Sequence, residues 1–257
     1  MSVVYEASDG VVVVRLERPE RMNALSGEML EELSLVFERA CADESLRAVI
    51  LTGAGERAFS AGTDIKELQH LDVEGARRAS LRGQRACATI ESCTVPVIAA
   101  VNGIAAGGGC ELALACHIRL ASESATFSLP ETKLGMLPAY GGTQRTARSV
   151  GTSRALELML TGQSLSAHDA LRYGLINRVV EPAHLLMEAQ ALARTISGLA
   201  PLAIRACLKA VTRGIDLPLE QGLELEAELF SSLFETEDVR EGTRAFLEKR
   251  PPVFKGR

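Results

Sequence analysis

Three segments of the 257-residue chain hold residue types whose spacing suits chemistry. The most telling is Asn102-Gly103-Ile104-Ala105-Ala106-Gly107-Gly108-Gly109-Cys110-Glu111, where three consecutive glycines lead from a strand into a helix. Without Cβ atoms the backbone lets a ligand approach closely, and the first N–H groups of a helix have no intrahelical partner. The positive end of the helix dipole adds to them, so this is a place to hold a developing oxyanion. Glu111 falls in the first turn of that helix, beside the anion site. A second segment, Ala61-Gly62-Thr63-Asp64-Ile65-Lys66, has a glycine turn and the amide of Thr63 as another donor. Two N–H groups from different loops polarise a carbonyl and would stabilise a thioester enolate. The third segment runs Leu129-Pro130-Glu131-Thr132-Lys133-Leu134-Gly135 and on through Ala139-Tyr140-Gly141-Gly142-Thr143-Gln144-Arg145. Taken alone, the glycines at 107–109 fit tight helix–strand packing equally well, and Glu131 fits a surface carboxylate.

The elements that must position these residues follow from periodicity. Residues 3–5 and Val11–Leu16 are β-branched runs around Asp9-Gly10, a hairpin signal. Ser26 caps a helix with Leu30, Leu33, Phe37, Ala40 and Cys41 at helical spacing. Residues 48–52 and Val97–Val101 are short apolar strands, and 118–121 is a third. Residues 73–92 and 108–116 read as helices. Strands alternating with helices argue for an α/β core, and fully apolar strands for burial on both faces. After residue 182 the strand signal stops. Leu185, Ala189, Leu192 and Ile196 form one helical stripe, Leu219, Leu223, Ala227, Phe230 and Phe234 another, and 236–248 a last helix. The second stripe is too apolar to stay exposed and should bury on the core or on a neighbouring subunit.

Composition sets the outer bounds. An apolar fraction of 47% with 24% charged residues fits a soluble globular enzyme with a large core. The charge sum, 28 − 33 = −5, argues against a nucleic-acid-binding domain, although Arg78, Arg82 and Arg85 share one helix face. Six cysteines without a C-x-x-C read as reduced thiols, and the N-terminus lacks a basic signal region, so a cytoplasmic location is expected. No apolar run reaches about 18 residues, the length a membrane-spanning helix needs. The four histidines are scattered, and no metal site is expected. Gly53-Ala54-Gly55-Glu56-Arg57-Ala58 matches a dinucleotide fingerprint, but Phe59-Ser60-Ala61-Gly62 has no helical period, so a turn is expected there.

The three segments resemble the crotonase (enoyl-CoA hydratase/isomerase) superfamily, in the expected order and over nearly the whole chain from about Arg18 to Glu248-Lys249-Arg250. Within it the chain is most similar to the enoyl-CoA hydratases, including methylglutaconyl-CoA and RNA-binding relatives. The resemblance implies an α/β fold: a spiral of repeated ββα units over residues 1–190 and a helical trimerisation region over 191–257. It implies a homotrimer, or a hexamer of paired trimers, and an acyl-CoA thioester substrate whose CoA is part of the substrate, with no separate cofactor. By position, Thr63 and Gly108 would supply the oxyanion amides, and Glu111 and Glu131 the two acids of a hydratase. Arg21, Met22 and Ala24, together with Ala61, Asp64 and Ile65, would contact the CoA. Glu20 stands where many relatives have Lys, so Arg21 takes over any phosphate contact. Ile104, Gly107, Pro130 and Tyr140 would line the substrate site, with Tyr140 narrowing the acyl pocket. Ala139 stands where relatives often have a Gly whose amide helps hold the catalytic machinery. Lys249, Arg250 and Lys255 would approach the CoA phosphates of a neighbouring subunit. The resemblance thus implies hydration of a 2-trans-enoyl-CoA. The alternatives are an enoyl-CoA isomerase, which typically needs only one of the two acids, and a methylglutaconyl-CoA hydratase with RNA binding.

Overall fold

A computed structural model describes residues 2–257. The chain opens with β1 (Val3–Ser8) and β2 (Val11–Leu16), paired antiparallel. Asp9 and Gly10 both adopt positive φ, the geometry a two-residue hairpin needs. Helix α1 (Gly27–Ala42) starts at Ser26, whose side chain accepts from the Met29 N–H. Then come β3 (Ala48–Gly53), β4 (Ala58–Ser60), α2 (Ile65–Leu68) and α3 (Val73–Glu91). They are followed by β5 (Val97–Val101), β6 (Ile104–Ala106) and α4 (Gly108–Ala115). A further round comprises β7 (Ile118–Ser122), β8 (Thr126–Ser128), α5 (Gly142–Val150) and α6 (Thr152–Thr161). After β9 (Ser164–Ser166), α7 (Ala167–Arg172) and β10 (Arg178–Val180) the chain is helical. Its helices are α8 (Leu185–Ser197), α9 (Pro201–Gly214), α10 (Leu219–Leu233) and α11 (Glu237–Glu248).

After the β1–β2 hairpin, each successive β-pair sends one strand to each of two sheets, which produces the expected spiral. The six-stranded sheet runs β1-β2-β3-β5-β7-β10 and the four-stranded one β4-β6-β8-β9. All pairings are parallel except β1 with β2 and β8 with β9. Alternation along the strands splits the core in two. Val12, Val14, Val49, Leu51, Val97, Ala99 and Val101 join one cluster with residues of α1, α3 and α4. Val11, Val13, Ala48, Ile50, Ile98, Ala100 and Leu120 join another with Leu185, Ala189 and Ala193 of α8. Burial on both faces explains why β3 and β5 are apolar throughout. The boundary expected at residue 190 falls inside α8, whose buried residues lie on both sides of it.

The fingerprint-like 53–58 segment is a turn between β3 and β4, with no helix opening there. Arg78, Arg82 and Arg85 each have a carboxylate partner: Glu74, Glu31 and Glu38. The α10 stripe does not fold onto its own core. Leu219, Leu223, Phe230 and Phe234 are all more than half exposed on the single chain, and neither α9 nor α10 has a buried residue. Among the described residues no single helix is long and apolar enough to cross a membrane.

Candidate active site

The site forms where successive turns of the spiral stack their strand-to-helix loops. Gly107 links β6 to α4 with φ +51° and ψ −125°, a conformation that favours glycine. A Cβ there would sit 2.8 Å from Glu131 Oε1. Gly62, at φ +92°, lies so close to the same loop that a Cβ would meet the Ala106 carbonyl oxygen at 2.6 Å. The loops carrying Thr63 and Gly108 are therefore packed together, and a Cβ on Gly108 would be 3.2 Å from Thr63 Oγ1. Among the described residues, neither the Thr63 N–H nor the Gly108 N–H donates to a protein acceptor. Both amides remain available to an external oxygen, that of Gly108 because the first N–H groups of a helix lack intrahelical partners.

Glu111 lies in the first turn of α4 and is only 2% exposed. Its Oε1 accepts from the Tyr140 N–H at 2.7 Å and the Gly142 N–H at 2.6 Å. Burial pushes this carboxyl up to about 7; Glu131 adds to the rise, and the amides of Gly142 and Tyr140 oppose it. Glu131 opens a 3-10 turn, Glu131–Leu134, with Pro130 as its cap. Burial raises its carboxyl too, and its buried Oε2 has no protein partner among the described residues. Leaving such an atom unpaired costs about 1–3 kcal/mol, a cost that a bound hydroxyl or water would remove.

Tyr140 completes the floor. Its hydroxyl accepts from Thr63 Oγ1 at 2.9 Å, and its ring lies against Gly83 of α3 and Gly108. Burial pushes the phenol up to about 12, so it stays neutral. The amides that hold Glu111 are those of Tyr140 and Gly142, not that of Ala139, which corrects the expectation from the sequence. Ala139 contributes its carbonyl instead, accepting from Ser80 and Gln84 of α3.

The segments expected to contact CoA run side by side. The Ala61 N–H donates to the Met22 carbonyl, and Leu25 and Thr63 form a parallel bridge. Asp64 Oδ2 accepts from Arg18 and Arg21, each at 3.2 Å, while its other oxygen caps α2 through the Lys66 N–H. Burial alone would raise the Asp64 carboxyl, but the Arg18 contact, the Lys66 amide and Arg21 together hold it below its usual range. Arg21 is thus engaged with Asp64, and Arg18 packs in the same cluster with its guanidinium on the Ala24 carbonyl. Ile65 and Ile104 are exposed at the rim. Of the C-terminal cations, Arg250 is spent on Glu241 and Glu248, and Lys255 lies 3.8 Å from Glu237.

Several supporting residues escaped the sequence reading. Arg145 grips Glu91 at 3.0 and 2.6 Å and donates to the Tyr140 carbonyl at 3.1 Å, bracing the turn whose amides hold Glu111. Asn23, at φ +54°, donates to the carbonyls of Ala54 and Ala58. Buried Ser60 donates to the Asn23 carbonyl and accepts from the Gly62 N–H. An Asn in the left-handed region is a recognisable local signal. The Arg145–Glu91 pair spans 54 residues and leaves none.

Comparison with known proteins shows the family. A family model described as enoyl-CoA hydratase/isomerase matches residues 6–257. The chain is 42% identical over 249 residues to the short-chain-enoyl-CoA hydratase of Clostridium acetobutylicum, covering 97% of this chain and 95% of that one. It is 41% identical over 256 residues to the (E)-benzylidenesuccinyl-CoA hydratase of Thauera aromatica, covering 100% of both. The crystal structure of an enoyl-CoA hydratase from Bacillus anthracis superposes with a TM-score of 0.96 at 41% identity, covering 100% of each chain. The chain is an enzyme and belongs to the enoyl-CoA hydratase/isomerase family.

Proposed function

We propose that the protein hydrates a 2-trans-enoyl-CoA thioester, adding water across the 2,3 double bond to give the 3-hydroxyacyl-CoA. The observation that carries this reading is the convergence of the buried Glu111 carboxyl and the half-buried Glu131, whose Oε2 is buried, on paired loops with two unspent amides. The thioester oxygen sits between the N–H groups of Thr63 and Gly108, which draw electron density from the double bond. A water held between the carboxyls loses a proton to Glu111 and forms its C–O bond at Cβ. The electron pair moves to the thioester oxygen as an enolate, and Glu131 returns a proton to Cα. Burial raises both carboxyls, Glu111 to about 7, which suits acid and base work in a single cycle. The CoA runs along the segments of Arg21, Met22 and Ala24 and of Ala61, Asp64 and Ile65, and Gly107, Pro130 and Ile104 edge the reacting centre.

The exposed α10 stripe supports a trimer, or a hexamer of paired trimers, because an apolar face of this kind is characteristically covered in closed symmetric assemblies. Light scattering should report a mass of three or six chains of 27.5 kDa. A cytoplasmic location fits the reduced thiols. The test of function is incubation with crotonyl-CoA, which should yield 3-hydroxybutyryl-CoA. Conversion of a 3-enoyl-CoA to the 2-enoyl-CoA without hydration would contradict the proposal.

A further inference from the structure

We infer that the acyl end of this site takes a short chain bearing a second carboxylate, held by Arg78 and Arg82. The inference rests on the hydratase reading only for where the thioester lies. A cavity of about 260 Å³ opens from Thr63 and Tyr140 and is walled by one face of α3. Gly75, Arg78, Ala79 and Arg82 recur at i, i+3, i+4 and i+7 on that face, and Gly83 beyond them carries the Tyr140 ring. The cavity therefore extends from the Tyr140 end along about two turns of helix, some ~12 Å at 1.5 Å per residue. Its volume lies just below the usual ligand-site range of about 300–1,000 Å³, which suits a small acyl group.

The wall is charged in a way an alkyl chain does not need. Arg78, Arg82 and Glu67 are the charged residues that line the cavity. Glu67 Oε2 is engaged by the Gly27 N–H at 2.7 Å. Arg82 spends its Nε on Glu31, at 3.1 Å and outside the lining. Its Nη1 lies against Gly27, the first residue of α1, where any Cβ would collide with it. Gly is a poor helix former, and its missing side chain is what admits the guanidinium. Among the described residues Arg78 pairs with Glu74, at 3.6 Å and exposed on both sides, a contact easily exchanged for a ligand. The planar donors of arginine match a carboxylate in two-pronged fashion.

The test compares the affinities of glutaryl-CoA and pentanoyl-CoA, whose five-carbon acyl groups differ only by the terminal carboxylate. Calorimetry should show glutaryl-CoA binding at least about tenfold more tightly, equivalent to about 1.4 kcal/mol. In Arg78→Met/Arg82→Met the ratio should collapse towards one. The ratio is internal to each protein, so a general loss of fold or of thioester binding moves both ligands together. Equal affinities in the native protein, or a ratio unchanged in the double variant, would overturn the inference. Crotonyl-CoA turnover in the same preparations separates the two claims. Hydration with equal affinities in the native protein leaves the hydratase standing and sinks the carboxylate site; a native ratio of about tenfold that collapses in the double variant, without hydration, does the reverse.

Discussion

Glu111 and Glu131 approach one site from walls built on different terms. The Glu111 wall is fixed from behind. Its carboxyl accepts two amides from the 140–142 turn, and that turn is braced by Arg145 on Glu91 and by Ser80 and Gln84 on the Ala139 carbonyl. The Glu131 wall is a 3-10 turn pinned by its neighbours: Thr132 donates to the Met159 carbonyl and Lys133 to that of Gly162. The Glu131 carboxyl itself has a buried oxygen with no protein partner among the described residues. One acid is held still by the protein, and the other keeps free hydrogen-bonding capacity. The proposed roles, a base that orients a nucleophile and an acid that carries a proton from one atom to the next, call for that difference.

The largest effect should come from what the walls share. Gly108→Pro removes one oxyanion donor, a loss of about 2.7–4 kcal/mol in the transition state or roughly 10²–10³ in kcat. Gly108→Ala keeps the N–H while crowding Tyr140 in the same way, so the gap between the two variants isolates the donor. Next is the fixed acid. Glu111→Gln should lower hydration at least about 10²-fold, as loss of a general base does. It should also stabilise the fold, with a defined pH dependence. Because the folded carboxyl titrates at about 7 against 4.5 unfolded, the native protein binds the proton more tightly, and its stability falls as pH rises between those values. Above pH 7 the penalty is about 3 kcal/mol at 1.36 kcal/mol per unit. Gln keeps the acceptor for both amides without the charge, so its melting advantage should be large at pH 8 and shrink towards pH 5. An advantage independent of pH would show that the Glu111 charge is not what costs stability.

A smaller effect is expected behind the fixed wall. Arg145→Met should reduce kcat by roughly tenfold with little change in KM, because it loosens the turn that aims Glu111 without touching substrate binding. An equal loss for Lys133→Met, which serves the other turn, would erase the contrast between the walls. Thr63→Ala should be the mildest, within about threefold in kcat, since the proposed oxyanion donor is the amide and not the hydroxyl. A folded but inactive Thr63→Ala would assign the Thr63–Tyr140 hydrogen bond a role in the chemistry.

Much of this arrangement was legible in local sequence. Asp9-Gly10, Ser26 and the apolar runs of β3 and β5 carry their own turn, cap and burial signals, and the three glycines before Glu111 mark the close-packed turn into α4. What stayed hidden depends on distant pairing. The choice of Tyr140 and Gly142 over Ala139 as donors to Glu111 is set by how the 140–142 turn lies on α4. Arg145 on Glu91, and Asp64 on Arg18 and Arg21, are contacts across 43–54 residues or between loops with no shared periodicity. The α10 stripe announced its need for cover, but only the fold shows that its own core does not provide it.

The most direct measurement is crotonyl-CoA hydration by the native protein, Glu131→Gln, Glu111→Gln and the double variant. A single water served by both carboxyls predicts losses of at least about 10²-fold for each single variant, and a double variant scarcely worse than either, because residues that act as a unit are not additive. Near-native hydration by Glu131→Gln would contradict the two-carboxylate mechanism.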